Sequence, residues 1–186
     1  MRRGIVLLAG AVASAQGQTT LPPAPAGDRP PAAMTAATGM TTTGAARVAA
    51  LEAAAAGYRQ VTWRRELVSG QTTYVGYFDR GQLRFIDETI AREGASPVRN
   101  RYYFENGVLF YFTGELPAGA LGAGPAAVAP RVPVRAEFRG AETLYAVRIE
   151  HYGEVKLHPA AVADIRRRAA TLARAATAER DATGAR

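Results

Sequence analysis

One stretch limits what this chain can fold into more than any other: residues 101–113, with the sequence RYYFENGVLFYFT. Two runs of aromatic and β-branched residues flank the dipeptide Asn106-Gly107. Asn-Gly between such runs is the strongest short-range signal of a β-hairpin, because a type I′ turn needs positive φ at both central positions. The stretch therefore predicts two antiparallel strands joined by a two-residue turn.

The pairing in this hairpin decides which side chains share a face. A two-residue turn pairs Glu105 with Val108 and, further out, Arg101 with Phe112, and paired side chains lie on the same face of the sheet. Neither face is polar, whereas an antiparallel sheet with one side in water alternates apolar and polar residues. We expect a central hairpin covered on both faces. The predicted faces are Arg101, Tyr103, Val108, Phe110 and Phe112 on one side, and Tyr102, Phe104, Leu109 and Tyr111 on the other.

The hairpin motif occurs more than once. Residues 77–83 (YFDRGQL) and residues 103–109 (YFENGVL) share the pattern Tyr-Phe-acid-x-Gly-x-Leu, 26 positions apart. Arg80 fits a type I′ turn poorly, so we predict a three-residue loop with Gly81 in the left-handed region for the first copy. Such a loop would flip the register of the first copy relative to the second. Residues 138–144 indicate a degraded third copy.

The repeated motif carries a resemblance. The runs GYFDRGQLRFIDETI and RYYFENGVLFYF resemble a loosely defined group of uncharacterised exported bacterial proteins with repeated Y-F-[DE]-x-G-x-L hairpins. Each hairpin is also similar to a MORN repeat, although the repeat length and the missing glycines argue against a true MORN array. The resemblance covers about residues 76–112 and implies an architecture and export, but no activity.

Strand patterns extend from residue 58 to residue 157, and helical patterns flank them. We predict one α+β domain over residues 43–180: an antiparallel β-meander of about six to seven strands, a short N-terminal helix and a longer C-terminal amphipathic helix over residues 159–180. The two helices are the elements available to cover the sheet. Their apolar stripes consist of Val48, Leu51 and Ala55 in the first helix, and Val162, Ile165, Ala169, Leu172 and Ala176 in the second.

The remaining segments are expected to be irregular. Residues 116–131 consist mostly of Gly, Ala and Pro, which predicts a mobile loop, and residues 181–186 are expected to fray. Pro133 places the strand that follows the loop at an edge of the sheet, because proline cannot donate a hydrogen bond to a neighbouring strand.

The N-terminus indicates export. Residues 1–15 combine two arginines, an apolar core and the small-residue site Ala13-Ser14-Ala15, which is the pattern of a secretory signal peptide. Residues 16–42 are rich in Pro, Ala and Thr and predict a disordered linker. We therefore expect a periplasmic or secreted protein without a transmembrane span after signal cleavage.

Composition narrows the chemistry. The chain contains no cysteine, which excludes disulfides, thiolate metal sites and cysteine nucleophiles. Of the formal net charge of +7, residues 156–186 carry +4, from seven basic and three acidic residues. A basic C-terminal segment of this kind can bind an anionic polymer or lipid headgroups, or can be a solvated helix face. We expect no nucleic acid partner, since no binding module for nucleic acid is recognisable.

Few residues suggest catalysis. His151, Glu154 and His158 would align three metal ligands on a helix, but Gly153 and Pro159 argue against a continuous helix, and we predict neither a metal nor another cofactor. The equivalent acids Asp79 and Glu105 raise the question of glycoside hydrolysis, although acids beside hairpin turns commonly cap backbone amides.

Aromatic residues offer the alternative of ligand binding. A stacking surface for a glycan or peptide could form with help from arginine, although the same residues could simply be core. We expect a non-enzymatic module that binds a protein, a glycan or an anionic envelope component, the alternative being a hydrolase of envelope polymers with an unrecognised carboxylate or histidine site. The candidate ligand-binding residues are Trp63, Tyr77, Arg101, Tyr102, Tyr103 and Tyr111.

Overall fold

The computed structural model describes residues 42–117 and 131–184, so the predicted signal peptide, nearly all of the predicted linker and residues 118–130 lie outside the described residues. Helix α1 (Thr42–Ala54) leads through a short 3-10 turn (Ala55–Gly57) into the strands, and helix α2 (Pro159–Gly184) follows them. The strands are β1 (Arg59–Leu67), β2 (Gly70–Asp79), β3 (Gln82–Arg92), β4 (Val98–Glu105), β5 (Val108–Pro117), β6 (Arg131–Arg139), β7 (Glu142–Glu150) and β8 (Gly153–Lys156).

All eight strands form one antiparallel sheet in which each strand pairs with the next along the chain. This confirms the α+β meander with a short helix before it and a longer helix after it. The sheet has eight strands instead of six to seven, because Gly153–Lys156 pairs with β7 as a separate strand. Within residues 42–117 and 131–184, neither helix combines the length and the apolar character needed to cross a bilayer.

Three expectations were wrong. Both ends of the loop predicted over residues 116–131 lie in strands, since β5 continues to Pro117 and β6 begins at Arg131, and α2 continues through residues 181–184, which were expected to fray. β6 is an interior strand between β5 and β7. Pro133 is tolerated there because Val134 is the first residue of β6 that pairs with β7, so on that side Pro133 precedes the paired region.

A β-bulge corrects the predicted faces of the central hairpin. Glu105 pairs with Val108 and Phe104 with Leu109, as expected, but Tyr103 then pairs with Tyr111, which leaves Phe110 as an extra residue. Beyond the bulge every pair shifts by one position, and Phe112 and Tyr111 exchange faces relative to the prediction. The observed faces are Tyr102, Phe104, Leu109 and Phe112 on one side, and Tyr103, Phe110 and Tyr111 on the other.

The same bulge recurs in the first and third hairpins. The register shifts between Tyr77 and Phe78 in β2 and between Glu137 and Phe138 in β6. The third copy of the motif is therefore present in the backbone, but Thr143 and not Leu144 pairs with Phe138. A bulge at the same place in each hairpin makes the three hairpins structurally equivalent.

The first turn differs from the prediction. Asp79 pairs with Gln82, so Arg80 and Gly81 form a two-residue turn with φ of 49° and 81°. Asn106 and Gly107 have φ of 51° and 78°, nearly the same conformation. The expected three-residue loop and flipped register are therefore wrong, because the sheet imposes the type I′ conformation even on arginine, which adopts positive φ at some cost.

Helix α2 covers one face of the sheet, which we call the α2 face. Its buried residues Ile165, Ala169, Leu172 and Ala176 belong to the predicted stripe, with Ala161 buried in place of Val162. They pack against a core formed by every strand from β1 to β7, including Phe78, Tyr102, Phe104, Phe112 and Phe138.

Helix α1 covers part of the opposite face, which we call the α1 face. The predicted stripe, with Val48 and Leu51 in α1 and Ala55 in the 3-10 turn that follows, packs against Phe85, Tyr103, Phe110 and Tyr111. Arg47 adds an ion pair with Glu105 at 2.5 Å and lies 4.1 Å above the ring of Phe110. The central hairpin is thus covered on both sides, as its two apolar faces predict.

Candidate functional site

A buried carboxylate joins α2 to the sheet. Glu88 lies on the α2 face of β3, between Ile86 and Ile90, and its side chain is 1% exposed. Its Oε2 accepts hydrogen bonds from Asn100 Nδ2 at 3.1 Å and from the Tyr102 hydroxyl at 2.9 Å. Its Oε1 accepts a hydrogen bond from Arg168 Nη2 of α2 at 2.5 Å. One cation and two neutral hydrogen-bond donors offset the cost of burying this charge.

The surrounding residues hold this network in place. Arg168 Nη2 also donates to the hydroxyl of Tyr74 at 2.9 Å. Asn100 Oδ1 accepts the backbone N–H of Glu115 at 3.0 Å, which fixes the orientation of the amide that faces Glu88. Gly114 leaves the necessary space, because a Cβ atom there would lie 2.1 Å from Asn100 Oδ1. We call Glu88, Arg168, Asn100, Tyr102 and Tyr74 the Glu88 network.

The electrostatics of the Glu88 network keep its donors protonated. Burial and the adjacent Glu88 carboxylate raise the pKa of Tyr102 well above its ordinary value. Burial lowers the pKa of Arg168, but the hydrogen bond and the charge of Glu88 outweigh it, and the net shift is upward. Both groups therefore remain hydrogen-bond donors to the carboxylate through the whole physiological range of pH.

A cleft lies beside the network, between α2 and the ends of β3 to β6. Its volume is about 540 Å³, and we call it the α2 cleft. Glu88, Asn100, Tyr102 and Arg168 line it together with both apolar and charged side chains. The other lining residues are Ile90, Arg92, Glu115, Leu116, Arg131, Ala161, Asp164, Ile165, Arg167 and Thr171.

A second polar network lies on the α1 face. Asp87, with its side chain 6% exposed, accepts a hydrogen bond from Arg99 Nε at 2.6 Å and lies 3.5 Å from Arg101 Nε. Glu52 of α1 accepts hydrogen bonds from Arg101 and from the hydroxyl of Tyr103. The pKa of Tyr103 is raised, mainly by burial and secondly by the hydrogen bond to Glu52. These contacts tie α1 to β3 and β4.

The predicted ligand-binding residues do not form one surface. Trp63 and Tyr102 lie on the α2 face, whereas Tyr77, Arg101, Tyr103 and Tyr111 lie on the α1 face. Tyr102, Tyr103 and Tyr111 are buried. Trp63 stacks on Tyr74 with 5.1 Å between ring centroids, and Tyr77 stacks on Phe85 at 4.0 Å. These aromatic residues pack with one another, and binding of a ligand by them stays a prediction.

The predicted catalytic residues are also dispersed. Asp79 pairs with Arg84 at 2.7 Å and Glu105 with Arg47, each beside a different hairpin turn. His151 lies in the turn between β7 and β8, while His158 precedes α2 and its Nδ1 accepts the backbone N–H of Ala160 at 3.3 Å. His158 therefore caps the N-terminus of α2.

The metal-ligand spacing likewise leads to no cluster. Glu154 lies in β8, so it shares no helix with His151 and His158. Among the residues that the structure describes, no group of three or more His, Asp or Glu side chains could hold a metal ion.

Three of the five arginines of α2, namely Arg166, Arg168 and Arg180, contact the sheet. Arg166 donates to the carbonyl oxygens of Gly140 and Glu142 at 2.8 and 2.7 Å and lies 4.4 Å above the ring of Phe138. Arg180 donates to the Gly81 carbonyl and lies 5.3 Å from the ring of Phe78. Phe78 and Phe138 are equivalent in the repeated hairpins. Much of the positive charge of this helix therefore stabilises its attachment to two hairpins, and less of it is left for an external polymer.

The Glu88 network was not predicted from the sequence, although the positions of Glu88 and Arg168 among apolar residues indicate it. In I-D-E-T-I (residues 86–90), Glu88 has the same parity as the two isoleucines, so a carboxylate falls on the apolar face of a strand. Arg168 lies three positions after Ile165 and one before Ala169, at the margin of the apolar stripe of α2. An acid and a base placed on two facing apolar surfaces predict a buried pair.

Comparison with known proteins gives no match to a family model, to a curated protein or to a solved structure.

Proposed function

We propose that this protein is an exported, non-enzymatic binding or interaction module of the cell envelope, and that it binds its ligand in the α2 cleft. The pattern of residues 1–15 supports export. The partner would be a protein, a glycan or an anionic envelope component, and not a nucleic acid.

The observation that supports a binding function is that the candidate catalytic acids are already paired with other side chains of the protein. Glu88, the buried carboxylate of the α2 cleft, accepts hydrogen bonds from three donors, one of them a cation. Both oxygens of this carboxylate are therefore engaged by side chains of the protein itself. Asp79 and Glu105 each pair with an arginine, beside separate turns. The cleft thus combines a concave shape with groups that orient a ligand, but offers no pair of free acids to act on it.

Capture from the native envelope tests this proposal. The full chain would be immobilised and incubated with solubilised envelope of the native host, in parallel with Thr171→Trp and Thr183→Trp. Thr171 lines the α2 cleft, and both threonines are exposed on α2 and donate to the carbonyl four residues earlier, Arg167 and Glu179 respectively. We expect wild type and Thr183→Trp to capture the same component and Thr171→Trp to lose it. Equal capture by all three would refute the assignment of the cleft.

One observation favours hydrolysis of an envelope polymer as a second candidate: a buried carboxylate, Glu88, lines the α2 cleft. Screening of glycan and peptide polymers for turnover, with Glu88→Gln as the matched variant, separates the two functions. Turnover that is present in wild type and abolished in folded Glu88→Gln would replace the binding proposal by an enzymatic one.

A further inference from the structure

Part of the wall of the α2 cleft is apolar. Ile90 and Leu116 line it from the sheet, and Ala161 and Ile165 line it from α2. Ala161 and Ile165 are each 3% exposed, so they present only a small part of their surface to the cleft, while Leu116 is half-buried. A volume of about 540 Å³ lies within the range of small-molecule sites, which is roughly 300–1,000 Å³.

The charges that line the cleft leave an excess of arginine. Arg168 pairs with Glu88, and Arg167 pairs with Asp164 of the same helix. The remaining charged residues are Arg92 and Arg131 against Glu115. Neither Arg92 nor Arg131 forms an ion pair or a side-chain hydrogen bond with another residue of the described chain. The potential in the cleft therefore favours an anion.

Arg168 adds donors whose direction is fixed. Its Nη2 makes both of the hydrogen bonds described above, to Glu88 and to Tyr74, and its guanidinium also interacts with the hydroxyl of Tyr102. The side chain is 38% exposed. A guanidinium oriented by a buried carboxylate presents its other N–H groups in a set geometry, which suits the paired oxygens of a carboxylate or phosphate.

We propose that the α2 cleft binds an amphipathic oxyanion, a carboxylate or phosphate group attached to an apolar chain. The charged group contacts Arg168, Arg92 and Arg131, and the chain lies against Ile90, Leu116 and Ile165. This inference rests on the proposed binding function and names the class of its ligand.

Titration calorimetry and thermal melting of the full chain test the proposal with five probes. Octanoate and octyl phosphate carry both a chain and an oxyanion and distinguish the two head groups. Octanol carries only the chain, whereas acetate and inorganic phosphate carry only the charge. We expect at least one octyl anion to bind and to raise the melting temperature, and the other three probes to bind at least tenfold more weakly.

Variants then locate the site. Arg92→Gln combined with Arg131→Gln should weaken binding of the octyl anion about tenfold, since charge-assisted hydrogen bonds to both arginines are lost. Thr171→Trp, which fills the opening, should abolish binding. Arg174→Gln is the matched control on α2, because Arg174 does not line the cleft, and it should change affinity less than twofold.

Several results would overturn the proposal: no binding of either octyl anion, equal binding of octanol, binding of inorganic phosphate as tight as that of octyl phosphate, or unchanged affinity in both cleft variants. If the octyl anions do not bind while envelope capture still depends on Thr171, the binding function stands and the ligand class is wrong. If turnover of a polymer depends on Glu88, the proposed function itself fails.

Discussion

Replacement of Arg168 by methionine should reduce the free energy of unfolding more than any other single change to the Glu88 network. Arg168→Met retains an apolar side chain but removes the cation and both hydrogen bonds of Nη2, leaving Glu88 buried with only Asn100 and Tyr102 as partners. Removing one partner of a buried ion pair costs roughly 3–5 kcal/mol. Since Arg168 is 38% exposed and water already screens it, we expect the lower end, about 3 kcal/mol.

Urea unfolding provides the assay. Trp63 is the single tryptophan and stacks on Tyr74, which accepts a hydrogen bond from Arg168, so its fluorescence reports on this part of the fold. A loss of about 3 kcal/mol should lower the urea midpoint without a change in slope, and should lower the melting temperature by roughly 6–12 °C for a domain of this size.

Two further variants separate charge from packing. Arg167→Met removes the neighbouring arginine, whose pair with Asp164 is exposed on both sides, and should cost less than about 0.5 kcal/mol. Adding Glu88→Gln to Arg168→Met removes the uncompensated charge and should restore most of the stability, with a coupling energy of about 2 kcal/mol. If Arg168→Met costs no more than Arg167→Met, the buried ion pair with Glu88 does not stabilise the fold as described.

Three other predictions follow from the geometry. Arg80→Asn should stabilise the protein by about 0.5–1 kcal/mol, because Arg80 has φ of 49° and asparagine tolerates this region better, which urea unfolding would show. Gly114→Ala should destabilise it by about 2–4 kcal/mol, because the new Cβ would lie 2.1 Å from Asn100 Oδ1 and force the amide away from Glu88. Stability should fall as the pH rises above about 10, because the pKa values of Tyr102 and Tyr103 are raised in the folded state. Their contribution to stability is complete below the pKa of unfolded tyrosine and is lost as the pH approaches the folded pKa values. Tyrosinate absorbance should show that these two residues ionise only when the protein unfolds.

Each of these has its own control. Arg80→Lys should be neutral, and a gain as large as that of Arg80→Asn would exclude backbone strain as the cause. Combining Gly114→Ala with Asn100→Ala should recover part of the loss, whereas strictly additive losses would show that the two residues do not clash. Ionisation of all eight tyrosines below the alkaline unfolding transition would contradict the burial of Tyr102 and Tyr103.

The parts of the fold that local chemistry determines could be predicted from the sequence. Asn106-Gly107 specifies its turn, and the two apolar stripes identify the helices that cover the sheet. The bulge at Phe110 could not be predicted, because one extra residue in a strand cannot be recognised from composition and depends on how both faces pack. At Arg80 the sheet overrides local chemistry. Arginine disfavours positive φ, but the pairing of the strands in three equivalent hairpins imposes this conformation on it.

The candidate site required the three-dimensional structure. Glu88, Asn100 and Arg168 come from β3, β4 and α2, and the pairing of Glu88 with Asn100 follows from a register that only the folded sheet defines. The aromatic residues that suggested a ligand platform alternate between the two faces, so their density in the sequence reflects a sheet that is buried on both sides.

The most direct test of the central claim, that the protein acts by binding in the α2 cleft, is a nuclear magnetic resonance titration of the full chain with soluble envelope extract and, separately, with octanoate and octyl phosphate. The account predicts shifts of the amides of Arg92, Asn100, Arg131 and Thr171, with the α1-face residues Thr89 and Arg99 unchanged and with no product formed. Shifts confined to the α1 face, or consumption of an envelope polymer, would contradict it.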